Sequence, residues 1–88
     1  MIINIKDLKK KIIYRANYRG TKEMDKLLGS FTKKYIDQFN EQELELLCDL
    51  LDCEDENLYK FNQGQNLRIK IKLNKVSEMF KNYNYVSE

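Results

Sequence analysis

The sequence predicts an all-α fold, a single small five-helix bundle, on three observations. Its 88 residues contain no proline and only three glycines, apolar residues recur at helical spacing in five stretches, and no two alternating segments are available to pair as strands. A chain of this length is expected to form one domain over residues 1–88, burying roughly 60 to 65% of the surface its unfolded form exposes.

The elements follow in order. Asp7 is placed to cap a first helix running to about Tyr18, with Leu8, Ile12, Ile13 and Ala16 on its apolar face and Lys9, Lys10 and Lys11 toward solvent. A second helix begins after Gly20, and Met24, Leu27, Leu28 and Phe31 stand at offsets 0, 3, 4 and 7. Gly29-Ser30 interrupts it, with Ser30 able to cap a continuation through Phe31, Tyr35, Ile36 and Phe39. Asn40 and Glu43 form a capping-box pattern ahead of Leu44, Leu47, Cys48, Leu50 and Leu51. After an acidic turn, a short helix from Asp55 to about Asn62 carries Leu58, Tyr59 and Phe61 and stops at Gly64. Leu67 to Leu73 alternates like a strand. Because Ile69, Leu73, Val76, Phe80 and Tyr83 continue as a heptad-like stripe, the segment from Leu67 to Asn82 is assigned to a fifth helix, with residues 83–88 as a frayed tail.

The net charge of +2 conceals a segregation along the chain. Residues 1–36 hold ten Lys/Arg against three acids, residues 37–56 hold nine acids and no base, and residues 57–88 hold six bases against two acids. Two readings of this polarity stand: docking onto a partner of complementary potential, and internal compensation between the acidic segment and its basic neighbours. No apolar run approaches the roughly 20 residues needed to cross a bilayer, and Met1 to Lys11 has neither a secretory nor a transit-peptide character. The chain is therefore expected to be a cytoplasmic, soluble monomer without membrane insertion.

Catalytic ingredients are missing. The chain has no histidine, no glycine-rich phosphate loop and no nucleophile–base pair, so an enzyme is not expected and no catalytic residue is assigned. Cys48 and Cys53, with no histidine to complete a set, form neither a zinc site nor a Cys–His pair, and Cys48 falls on the apolar stripe as a small core residue. Nucleic-acid binding is the rival from another class, resting on the basic N-terminal third with Tyr14, Tyr18 and Tyr35 interleaved. The acidic segment and the modest total charge oppose it.

The most informative stretch is Arg19-Gly20-Thr21-Lys22-Glu23-Met24-Asp25. Gly20 permits positive φ, Arg19 offers a planar fork of donors, and Glu23 stands near a helix N-terminus. Read alone, it fits either a contact surface or a helix corner closed by a salt bridge. The run YRANYRGTKEMDKLLGSF, Tyr14 to Phe31, resembles the RGxxE region of the SdhE-type FAD assembly factors of succinate dehydrogenase. A second block, LLDCEDENLYKF from Leu50 to Phe61, resembles that family's Leu-Leu, acidic turn and Asp-x-x-Leu-Tyr/Phe pattern. Together they cover roughly residues 10–62. Departures fall at Ser30 and Glu56, where relatives generally carry proline, and at Phe61, where they carry tryptophan.

The resemblance implies a small five-helix assembly chaperone that binds the flavoprotein subunit of succinate dehydrogenase, of fumarate reductase, or of both. That subunit attaches FAD covalently to its own histidine; the factor is expected to hold no FAD stably, and no metal. The same resemblance implies a partner-binding surface of Tyr18, Arg19, Gly20, Lys22, Glu23 and Asp25.

Overall fold

Asn4, three residues before the expected cap, opens the first helix. In the computed structural model, which describes residues 4–67 and 70–84, the Asn4 side chain accepts from the N–H groups of Lys6 (3.0 Å) and Asp7 (3.3 Å). Helix α1 therefore spans Ile5–Asn17, and Asp7 lies in its first turn, at the positive end of the helix dipole. Thr21 caps α2, Lys22–Tyr35, which passes unbroken through Gly29-Ser30. The expected interruption is absent because the Ser30 hydroxyl donates back to the Leu27 carbonyl (3.2 Å) and satisfies itself inside the helix. A single 3₁₀ turn, Ile36–Gln38, ends the run.

Helix α3, Glu41–Leu51, starts at the expected capping box: Glu43 N–H donates to Asn40 Oδ1 (2.8 Å) and Asn40 N–H to Glu43 Oε1 (2.9 Å). Helix α4, Asp55–Asn62, closes at Gly64, whose φ of +71° is the left-handed conformation a Schellman ending requires. Its two reversed bonds are present, Gly64 N–H to Phe61 O (3.2 Å) and Gln65 N–H to Lys60 O (2.8 Å).

The fifth helix is much shorter than expected. Helix α5 spans Lys75–Lys81, and the described residues between Gly64 and Asn74 are irregular rather than helical; Arg68 and Ile69 lie outside the described residues. The heptad stripe fails at Leu73, which is 56% exposed, while Ile71 plugs the core instead. A second capping box explains where the helix begins: Ser77 N–H donates to Asn74 Oδ1 (2.9 Å) and Asn74 N–H to Ser77 Oγ (2.8 Å). Tyr83 is not a frayed residue. Its hydroxyl donates to Ser30 Oγ (2.8 Å) and its ring packs edge-on to Phe31 at 5.4 Å; residues 85–88 lie outside the described residues.

The five helices close around Ile12, Ala16, Leu28, Phe31, Leu44, Leu47, Leu51, Leu58, Val76 and Phe80, all essentially inaccessible. Helix α1 packs on α2 and α3, and α5 packs on α3 and α4. Truncating a buried aromatic such as Phe31 or Phe80 to alanine in such a core costs about 3 to 5 kcal/mol. No strand occurs among the described residues, in keeping with the all-α expectation.

The charge segregation resolves in part into internal compensation. Among the described residues every ion pair joins an acid of segment 37–56 to a base outside it: Lys9–Asp37, Arg15–Asp52, Arg19–Asp55, Lys60–Glu56 and Lys75–Glu43. The exposed pairs among them contribute little each, about 0 to 1 kcal/mol.

Candidate functional site

The turn between α1 and α2 reverses the chain within Tyr18–Thr21, and Gly20 makes this possible at φ +110°. An added Cβ at Gly20 would meet no atom within 4 Å, so the position is open to solvent and restricted only by its backbone. Thr21 Oγ1 accepts from Met24 N–H (3.2 Å), and the Asp25 carboxylate accepts from the Arg19 N–H. The corner is thereby stapled to the start of α2.

Arg19 does not extend into solvent. Its side chain is only 11% exposed and reaches across to the α3–α4 junction. There Nε donates to Asp55 Oδ1 (2.8 Å), one terminal nitrogen to the Leu51 carbonyl (2.7 Å) and the other to the Cys53 carbonyl (2.7 Å). Leu51 is the last residue of α3, whose terminal carbonyls lack helical partners and carry partial negative charge. One guanidinium satisfies carbonyls at this junction and pairs with an acid in the first turn of α4. The rigid planar fork spreads its donors over separate nitrogens that reach all three acceptors, whereas a lysine ammonium concentrates its donors on one atom.

The expected site residues therefore divide. Arg19 and the half-buried Asp25 brace the corner from inside, whereas Tyr18, Gly20, Lys22 and Glu23 face solvent. A salt bridge does close the corner, but Arg19 makes it with Asp55 and not with Glu23. The structure adds Tyr14 to the exposed set. Tyr14 and Tyr18 are 65% and 70% exposed, with ring centroids 4.7 Å apart and a tilt of 37°. Their four-residue spacing, Tyr14 on α1 and Tyr18 at its C-cap, was visible in the sequence. Asp55 was legible as the start of the fourth helix and as part of the second family-like block, but not as the partner of Arg19.

Tyr35, counted among the aromatics available to a nucleic acid, is instead committed to a cluster with Phe31, Phe39 and Tyr83. Cys48 and Cys53 are free thiols, half-buried and packed against the core. Burial raises both thiols above their ordinary value, Arg15 opposing the shift at Cys48 and Arg19 at Cys53, so both are protonated and weakly nucleophilic at neutral pH. No group of three potential metal ligands occurs among the described residues, and no helix among them is long and apolar enough to cross a membrane. The arrangement offers a rigid corner with an aromatic and charged rim.

Comparison with known proteins bears on the same two blocks. A family model described as flavinator of succinate dehydrogenase matches residues 10–84. A curated protein of Scheffersomyces stipitis, named succinate dehydrogenase assembly factor 2, mitochondrial, is 43% identical over 49 residues, which is 56% of this chain and 33% of that protein. The match thus spans about a third of the relative's length. No solved structure matches.

Proposed function

The chain belongs to the family of flavinators of succinate dehydrogenase, and on that premise we propose that it binds the flavoprotein subunit of succinate dehydrogenase and promotes covalent attachment of FAD to it. The flavoprotein subunit of fumarate reductase is a second client of the same chemistry. The factor supplies no catalytic group in this reading; the client's own residues and the flavin react.

The observation that carries the reading is the Arg19 network. It ties the first family-like block to the second through Leu51, Cys53 and Asp55, and so presents Tyr14, Tyr18, Gly20, Lys22 and Glu23 on one braced corner. A surface prepared in this way loses little entropy when it docks. The factor then acts by stabilising the client conformation in which isoalloxazine ring and acceptor side chain approach reacting geometry. A preference of about 2.7 kcal/mol for that conformation raises its population about a hundredfold when it starts rare. Release follows once flavinylation or assembly removes the preference.

The test is Gly20→Arg. The substitution forces a branched cation into a positive-φ position at the exposed centre of the rim, between Arg19 and Lys22, while touching no core residue. In cells lacking the native factor, the variant is expected to leave the client subunit without covalent flavin, read by in-gel fluorescence after denaturation, while circular dichroism shows its helices intact. Wild-type flavin incorporation by the folded variant would remove the corner from the mechanism.

A further inference from the structure

A second surface lies between α1 and α2, in a groove lined by Lys6, Lys9, Lys10, Ile13, Lys33 and Ile36, with a volume of about 460 Å³. Gly29 and Asn17 line one part of it and Asp37 another, and at Asn17, Gly29 and Lys33 it meets a shallower depression that also takes in Lys26. Three observations converge on it. First, Ile13, expected in the apolar face of α1, is 40% exposed here and adds apolar surface beside the buried Ile36. Second, among the described residues Lys6, Lys10, Lys26 and Lys33 have no ion-pair partner, whereas Lys9 pairs with Asp37 at 3.2 Å. Third, the internal compensation that engages Arg15, Arg19, Lys60 and Lys75 elsewhere leaves this cluster of cations over.

We propose that this groove receives an acidic amphipathic segment of the client flavoprotein subunit, its carboxylates against Lys6, Lys10, Lys26 and Lys33 and an apolar side chain on Ile13. The proposal rests on the client assignment made above. Charge complementarity selects the occupant: lysines on both helices call for anions, and the exposed Ile13 on the α1 side calls for an apolar side chain that a phosphate backbone does not have. The lysines stand on both helices, Lys6 and Lys10 one turn apart on α1 and Lys26 and Lys33 two turns apart on α2. That spread suits carboxylates distributed along a helix or extended segment better than one compact anion. The groove and the corner then act as two contacts on one client, each raising the effective concentration of the other.

The experiment measures binding of the purified flavoprotein subunit of succinate dehydrogenase to the full chain at about 50 and 300 mM salt, the range over which exposed charge pairs become screened. Lys10→Glu/Lys33→Glu is compared with wild type and with Lys72→Glu, an exposed lysine outside the groove. Thermal unfolding checks that each variant folds. The expected result is at least tenfold weaker binding by the double variant at low salt, a flatter salt dependence, and a change under twofold for Lys72→Glu. Equal weakening by Lys72→Glu, or unchanged affinity in the double variant, overturns the groove and leaves the corner standing. No binding by wild type overturns the client assignment and the groove together. Tight binding of mixed-sequence RNA that is lost in the double variant, with client affinity unchanged, gives the groove to a nucleic acid and also overturns the proposal.

Discussion

In the corner at residues 18–21 and in the described residues of the α4–α5 connector, 65–67 and 70–74, the backbone is irregular, yet opposite kinds of interaction hold them. The corner is fixed by charge-assisted hydrogen bonds that span more than thirty residues of sequence, from Arg19 to Leu51, Cys53 and Asp55. Of the connector's described residues, Ile71 is buried in the core and Leu67 packs against it, and local bonds hold its end, where Ser77 Oγ also donates to the Lys72 carbonyl (2.8 Å). Irregular backbone is thus ordered either by tertiary polar contacts or by a buried side chain plus a cap. In the first kind a single side chain meets three acceptors more than thirty residues away.

The largest effect that would sharpen this contrast is expected at Arg19. Arg19→Ala leaves Asp55 and two carbonyls without their donor, and for a side chain this enclosed the cost is about 3 kcal/mol. In a domain of this size that lowers Tm by roughly 15 °C, measured by circular dichroism. A shift below about 4 °C would mean that the corner is no better tied than the connector.

The next effect concerns the far end of the connector, where Glu43 caps α3 and pairs with Lys75. The Asn40 backbone N–H first, and then Lys75, hold the Glu43 carboxyl below its ordinary value. A lowered carboxylate stabilises the fold above its unfolded pKa, and the stabilisation is lost as pH falls through the folded one. Glu43→Gln is therefore expected to have a lower urea midpoint than wild type at pH 7, with the gap narrowing as pH falls below the ordinary carboxylate range. A gap that persists in acid would assign the effect to packing.

The smallest effect is expected at Leu73. Leu73→Ala should change stability by less than about 0.5 kcal/mol, because the side chain is largely exposed. A loss of about 2 kcal/mol or more, as for a buried leucine, would restore the longer helix.

The same contrast governs what could be read from the sequence. The box at Asn40–Glu43 and the stop at Gly64 were legible because each signal is complete within a few residues. Asn74 and Ser77 form an equally local signal, overridden by a stripe in which Leu73 is an exposed residue. Asn4 and Asp7 are both capping types, and nothing local ranks them; the structure places the cap at Asn4. The position of the RGxxE run at a helix corner was legible as well. The inward turn of Arg19 was not, since its acceptors are two backbone carbonyls and one acid from another part of the chain.

Gly29 has a geometric consequence of its own. It sits inside α2, where glycine is ordinarily worth about 0.5 to 1 kcal/mol less than alanine, and a Cβ there would overlap the Asn17 side-chain oxygen, with the Ala16 carbonyl also near. The Asn17 amide is anchored by donating to the Ile13 carbonyl (2.9 Å), so it yields little without losing that bond. Position 29 therefore works as a seat for the Asn17 side chain. The missing methyl group leaves room for that amide to fold back on the last turn of α1, next to the end that carries the tyrosine pair.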